Sequence, residues 1–326
     1  GNIPLRRLGA GSSRLLIAAL QDRIGESSPF ALIDEVEHGL EPHRISRLLR
    51  YLKSDRKDIR AQLFLTTHSP VVLQELDIDD LAVVRRDVSI GKVTVISAKT
   101  DIAKVDLQAT LRSLPSSFLS RSILVCEGKT EIGLGRGLDR YWVKNNHDPF
   151  ATAGVVLTDG NGKDNAPNRA KYFSKLQYRV ALLLDNDEDP NDPTIIPELK
   201  TLGVKILRWE KGKATEDILF HDIGDDGLKK LLDLLAAEED FAKIPEQINS
   251  KAGEKLVSNW DELKQKCTDS TIRTHLAACS KKHEWIRKRL TLSESIGLMV
   301  FGPNLNKLKG ANAACIKDLR SWIDGE

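Results

Sequence analysis

The chain has 326 residues, enough for two domains that each bury a core. Hydrophobic residues make up 40% and charged residues 29%, ordinary values for a folded protein. With no apolar run of about 18 residues and no readable secretory leader, the expectation is a cytoplasmic protein without a membrane span. The 49 Lys and Arg against 47 Asp and Glu leave a net charge of +2, which neither demands nor excludes a nucleic-acid partner.

In chain order, a helical pattern over Leu15 to Arg23 precedes the apolar run Phe30 to Ile33, which ends in Asp34-Glu35. A helix follows from Pro42 to Lys53, then a strand from Leu63 to Thr66 ending at His68. Leu81 to Val84 and Val93 to Ile96 read as short strands joined by a turn at Ser89 to Gly91, and residues 98 to 120 read as a connector. A second α/β pattern starts at Ile123. It has a strand to Cys126, a helix from Thr130 to Trp142, a strand from Gly154 to Leu157, the loop DGNGKDN, and a helix from Asn168 to Leu176. Strands from Val180 to Leu184 and Val204 to Leu207 complete it, and from Glu216 onward the pattern is mainly helical. Strands alternating with helices imply a parallel sheet covered on both faces.

Two acidic segments carry the chemistry. VCEGKTE places Glu127 and Glu131 after one apolar strand, and ALLLDNDEDP places Asp185 and Asp187 after another. Carboxyl ends of strands in an open α/β sheet are where ligands collect. Glu127 and Glu131 are four apart and share a helix side, while Asp185 and Asp187 are two apart on an extended stretch. Two like charges about 4 Å apart repel by roughly 4 kcal/mol at an effective dielectric of about 20, so a divalent cation is the simplest reason to gather them. An acidic loop at the sheet edge is the bland alternative, and Glu188 and Asp189 read as solvated. Asp159 closes an Asx turn or reaches the metals, with the turn preferred, and Gly160 and Gly162 allow close backbone approach. The four cysteines are scattered without a CxxC pair and read as buried free thiols. From Lys251 onward, fourteen Lys and Arg face nine Asp and Glu, with Lys281-Lys282 and Arg287-Lys288-Arg289 on a helix-like segment. That face either neutralises phosphates or is merely solvated.

FALIDEVEHGLEPHR resembles a Walker B strand with its D-loop, LFLTTHSP the switch-histidine strand of ABC-type ATPases, and GAGSSRL their signature motif. The resemblance implies Asp34 on Mg²⁺, Glu35 on an attacking water and His68 at the γ-phosphate. No GxxxxGK[ST] occurs in the sequence, so the ATP site is incomplete, and ATP is expected as a cofactor only with a complete ATPase domain. Either a missing N-terminal ATPase portion supplies the P-loop or this unit has become structural. The later segments resemble a Toprim domain, and an ABC-type ATPase fused to Toprim resembles the OLD (overcoming lysogenization defect) nucleases.

That resemblance implies an α/β fold: part of an ABC-type ATPase over 1–100, a connector over 101–120, a Toprim nuclease domain over 121–215 with a Rossmann-like parallel sheet, and a helical elaboration over 216–326. It implies two divalent ions, Mg²⁺ or Mn²⁺ with Ca²⁺ a further candidate, held by Glu127, Glu131, Asp185, Asp187 and Glu216. Catalysis falls to Glu127, Asp185, Asp187 and a late lysine, Lys309 in preference to Lys307. Glu216 has an ordinary helix-capping acid as its alternative, and Lys309 a plain surface lysine. The expected function is a DNA endonuclease or nickase in phage defence or DNA repair, with a helicase-like partner and a homodimer when complete. A strand-passage enzyme needs a tyrosine nucleophile, and Tyr51, Tyr141, Tyr172 and Tyr178 all fall within the two units. A non-catalytic SMC-like DNA-binding scaffold is the remaining alternative.

Overall fold

The computed structural model describes residues 30–54, 62–86, 90–100, 106–238 and 243–325. The GAGSSRL segment and the helix expected at Leu15 to Arg23 lie outside them. The described residues fall into two compact units that divide between Leu119 and Ser120.

In the first unit, β1 (Phe30–Ile33) pairs in parallel with β2 (Gln62–Leu65), Ile33 opposite Leu65. Helix α1 (Pro42–Ser54) lies between them in sequence. Its Ile45, Leu48, Leu49 and Leu52 follow the i, i+3, i+4, i+7 spacing of one helix face, and they pack with Val36 and with Val72 of α2 (Pro70–Glu75). β3 (Ala82–Arg86) and β4 (Val93–Ser97) form an antiparallel hairpin with Val84 opposite Val95. The stretch read as a connector carries two short helices folded with this unit, α3 (Leu107–Ser113) and α4 (Pro115–Phe118). The Asp106 side chain caps α3 by accepting from Ala109 N at 2.8 Å, and Pro115 opens α4, where its missing N–H costs nothing.

The second unit is built on a four-stranded parallel sheet: β5 (Ser122–Cys126), β6 (Val155–Asp159), β7 (Arg179–Leu184) and β8 (Lys205–Arg208), in the order β6-β5-β7-β8. β5 is buried at every residue and β7 at all but Arg179, so the central strands are continuous apolar runs, as a sheet covered on both faces requires. Helices α5 (Lys129–Lys144), α6 (Asn165–Lys175) and α7 (Ile195–Thr201) make the connections. From β5 the chain goes to β6 on one side, and from β7 it goes to β8 on the other. The connections thus part between the carboxyl ends of β5 and β7, and a crevice opens there.

Beyond β8 the described residues hold no strand. A helical turn at Thr215–Asp217 runs into a wider turn at Ile218–Asp222 and then into α8 (Asp225–Ala236), α9 (Ile244–Ala252), α10 (Trp260–Lys266), α11 (Ser270–His283), α12 (Leu290–Ile296) and α13 (Gly310–Asp324). One apolar core spans the sheet and these helices. α11 stops at His283, with Glu284 left-handed at φ 51°, so Lys281-Lys282 and Arg287-Lys288-Arg289 do not share one continuous helix as the sequence suggested.

α5 and α12 approach closely enough to exclude side chains. A Cβ added at Gly137 would lie 2.3 Å from Glu294 O and 2.7 Å from Gly297 Cα, and one at Gly133 would lie 2.6 Å from Leu290 O. This contact fixes α5, whose first turn faces the crevice.

Candidate active site

The site is assembled at the parting of β5 and β7. Glu127 leaves β5 with its backbone N–H donated to Leu183 O at 3.0 Å, and its Oε2 accepts from Asp185 N at 3.1 Å. The two strand ends are therefore joined through an acid of one and the backbone of the other. The β6 loop is tied to the same place by Gly160 N to Cys126 O at 2.7 Å and Gly162 N to Glu127 O at 2.8 Å. A side chain at Gly160 would collide with Cys126 O at 2.4 Å, so glycine is required there. Asp159 Oδ1 accepts from Asn161 N at 2.8 Å, an Asx turn.

Glu131 sits in the first turn of α5, where its Oε2 accepts from Gly128 N at 2.9 Å. Its Oε1 meets Thr215 Oγ1 at 3.1 Å, and Asp185 Oδ1 meets the same hydroxyl at 2.8 Å and Thr215 N at 2.9 Å. Thr215 is 1% exposed and its hydroxyl also accepts from Trp209 Nε1 at 3.0 Å. A hydroxyl has one hydrogen, so it donates to one of the two carboxylates at a time, and a proton on the other acid or a cation beside it would relieve the close approach of their oxygens. Thr215 was not singled out in the sequence. Its signal is a hydroxyl residue at a helix start directly before Glu216-Asp217.

Burial is the main cause of the site's electrostatics. It pushes Glu131 up to about 7, with repulsion from Glu127 and Glu216 added and hydrogen bonds opposing. Burial likewise raises Asp185 well above the carboxylate range, helped by Glu131, Glu127 and Glu216. Glu127 is raised by burial and by Asp187, against the Asp185 hydrogen bond and the charges of Arg287 and Lys163. Glu216, 7% exposed, is raised by burial, against Lys281 and Arg287 among others.

The structure thus brings Glu127, Glu131, Asp185 and Glu216 into mutual electrostatic range. The helix-capping role weighed for Glu216 falls to its neighbour: Asp217 Oδ2 accepts from Ala214 N at 2.8 Å and pairs with Lys281. Asp187 is exposed, its Oδ1 accepting from Glu188 N at 2.9 Å, while its charge still acts on Glu127. Asn186 separates the two acids by bonding elsewhere, donating to Trp209 O at 2.8 Å. Glu188 and Asp189 are exposed but paired, with Lys163 and Arg208 respectively. Lys309 is exposed at the start of α13, outside the ion pairs of the described residues, and Lys307 is exposed near Gly224. Asn312 of α13, 2% exposed, accepts from Glu210 N at 2.7 Å and donates to Asp222 at 2.7 Å, fastening the last helix to the loop after β8.

Among the described residues no three His, Cys, Asp or Glu side chains stand closed at ligand spacing. The donor set nonetheless fits a hard divalent ion. It is oxygen only, Glu131 and Glu216 are buried and Glu127 and Asp185 half-buried against their own repulsion, and Asp185 and Glu131 compete for one hydroxyl hydrogen. Nearby Cys126 is buried, and its thiol is pushed well up by that burial, so it offers no thiolate.

In the first unit, Asp34 and Glu35 leave β1 beside the end of β2, where His68 stands exposed. Thr66 Oγ1 bonds the Asp34 carboxylate and accepts from Glu35 N at 2.8 Å. Glu37, not singled out in the sequence, bridges the two motifs by accepting from Thr67 Oγ1 at 2.8 Å and His68 N at 2.7 Å. Burial works to raise it, but those hydrogen bonds hold it below its ordinary value.

Comparison with known proteins fits both units. Residues 1–74 match the family described as "AAA domain, putative AbiEii toxin, Type IV TA system", and residues 118–187 match "Overcoming lysogenization defect protein-like, TOPRIM domain". No curated protein matches. A solved structure, the C-terminal region of the Xanthomonas campestris pv. campestris OLD protein, aligns with 64% of this chain and 96% of its own at 13% identity and a TM-score of 0.38, a likeness that says nothing of site or activity. The fold class is therefore an AAA-type unit followed by a Toprim domain with a helical C-terminal part. Taken together, the two matches support an OLD-like arrangement, an AAA-type unit followed by an OLD-like Toprim domain. Toprim domains generally use divalent metal ions. No helix among the described residues is long and apolar enough to cross a membrane.

Proposed function

We propose that the chain is a metal-dependent DNA endonuclease or nickase that hydrolyses phosphodiester bonds by a two-metal Toprim mechanism and acts in phage defence or DNA repair. The observation that carries this reading is the shared Thr215 hydroxyl between Glu131 and Asp185, with Glu127 and Glu216 in range, at the parting of a parallel sheet. Glu127 and Asp185 would hold one ion, and Glu131 and Glu216 with Asp187 the other. When bound, the ions supply Lewis-acid activation of water and charge stabilisation at the leaving oxygen.

The remaining roles fall to the chain's own groups. Glu127 is half-buried and has a raised proton affinity, which suits it to take the proton of the attacking water as the new P–O bond forms and the bond to the leaving sugar oxygen breaks. The Asp185 N–H holds the Glu127 carboxylate in place for that transfer. Thr215 and Trp209 fix the inner acids, and Lys309 supplies positive charge toward the cleaved phosphate. Tyr172 and Tyr178 are poor candidates for a strand-passage nucleophile, because both are buried and burial holds the Tyr172 phenol well above its ordinary value.

The test is cleavage of supercoiled plasmid with Mg²⁺ or Mn²⁺ and no ATP. Nicked or linear product with hydrolytic ends, lost in Asp185→Asn, is expected. DNA covalently trapped on the protein, or binding without any cutting, would overturn the reading.

A further inference from the structure

Two non-glycine residues with left-handed backbones, Glu284 at φ 51° and Lys288 at φ 63°, bracket the loop between α11 and α12. Such conformations are uncommon outside glycine and persist where surrounding structure enforces them. The enforcement here is visible. Trp285 is 1% exposed, donates Nε1 to Gln247 Oε1 at 2.8 Å, and meets the Phe220 ring edge-on at 6.2 Å. Ile286 is fully buried, and its carbonyl accepts from Arg289 N at 3.2 Å. The loop is thus anchored by two buried side chains, and the next residue is turned out to solvent.

That residue is Arg287, whose side chain is 58% exposed. Its charge acts on both Glu127 and Glu216, acids carried by different elements of the crevice. Two lysines also act on these acids, but each is committed: Lys163 to Glu188 and Lys281 to Asp217. Among the described residues Arg287 pairs only with Glu284 of its own loop, at 3.7 Å, too long for a hydrogen bond. The loop is tied to the crevice at both ends, by Lys281 of α11 pairing with Asp217 next to Glu216 and by α12 packing closely on α5, and among the described residues the Arg287 fork makes no hydrogen bond, an arrangement suited to a tetrahedral oxyanion.

We propose that Arg287 binds a backbone phosphate of the DNA at the rim of the carboxylate crevice, adjoining the phosphate that is cut. This rests on the nuclease reading above and adds a positioning contact to it. The rival role, easing repulsion among the acids, needs only a nearby charge and makes no contact with DNA.

The experiment measures binding of a short labelled duplex to the full chain by fluorescence anisotropy across a salt series, with Ca²⁺ as the ion. Arg287→Ala is expected to weaken binding about tenfold and to lower the slope of log affinity against log salt by about 0.9. Arg287→Lys should restore the slope but only part of the affinity, because it keeps the charge and loses the fork. The side chain is exposed, so the variants should melt with the wild type; should Arg287→Ala melt early, Arg287→Gln is read in its place. Unchanged slope and affinity in the variant, with a wild type that binds and cuts DNA, would overturn the Arg287 assignment alone. A wild type that neither binds nor cuts DNA would overturn the nuclease reading and this assignment with it.

Discussion

Glu131 combines a helix-capping bond, which favours its ionised form, with burial among other acids, which opposes it more strongly. In the fold it holds its proton up to about pH 7, against an ordinary value of 4.5 in the unfolded chain. Between those two values the folded state binds more protons than the unfolded state, so stability falls as pH rises through that window. The loss attributable to this one group is on the order of 3 kcal/mol, present in full above pH 7 and absent below about 4.5. Urea midpoints at pH 5 and pH 8 should show it, and Glu131→Gln should flatten the difference. Mn²⁺ should raise the pH 8 midpoint of the wild type and do much less for Glu131→Gln; a wild type indifferent to Mn²⁺ would count against ion binding at these acids. Thr215 tests the same arrangement from its other side. Thr215→Val keeps the shape but strips the hydroxyl from Trp209, Glu131 and Asp185, at a cost of about 1–3 kcal/mol, whereas Thr215→Ser should stay near wild type in thermal melts.

At the scale of elements, the position of Glu131 depends on the closeness of α5 to α12. A methyl at Gly137 meets Glu294 O of α12 at 2.3 Å and the backbone of Leu298 and Gly297 just past its end at 2.6 and 2.7 Å, and backbone cannot rotate away. Gly137→Ala should therefore cost about 3 kcal/mol and lower the melting midpoint on the order of 10 °C. Gly135→Ala is the control, because its methyl meets only the Leu157 side chain, which can adjust, and its loss should be clearly smaller. The sheet and its connecting helices were legible because the central strands are unbroken apolar runs and α1 shows a clean apolar face. The helices at Leu107–Ser113 and Pro115–Phe118 were not, because each is too short to develop a period. The break after α11 was equally hidden. Lys, His, Glu and Trp continue a helix well enough, and it is the burial of Trp285 and Ile286 that turns the chain.

At the scale of the whole chain, the acids of β5 and β7 could be found one strand at a time, since each announces itself as a carboxylate ending an apolar run. Their convergence, and the part played by Thr215 and Asn312, depends on strand order and on a helix about a hundred residues further along, which no local pattern encodes. The two units also separate chemically. Every acid assigned to phosphodiester chemistry comes from the second unit, while Asp34, Glu35 and His68 belong to the first, and the sequence contains no P-loop to hold a nucleotide against them. Hydrolysis by this chain should then be indifferent to the first unit's acids. Glu35→Gln should cleave plasmid as the wild type does, with or without ATP, while Asp185→Asn abolishes cutting. Glu35 is exposed and left-handed at φ 47°, so the amide exchange there should leave the fold intact and the comparison clean. Loss of cutting in Glu35→Gln at an unchanged melting midpoint would mean that the ATPase-like unit controls the nuclease even without a P-loop, and would reassign Glu35 from a remnant to a regulator.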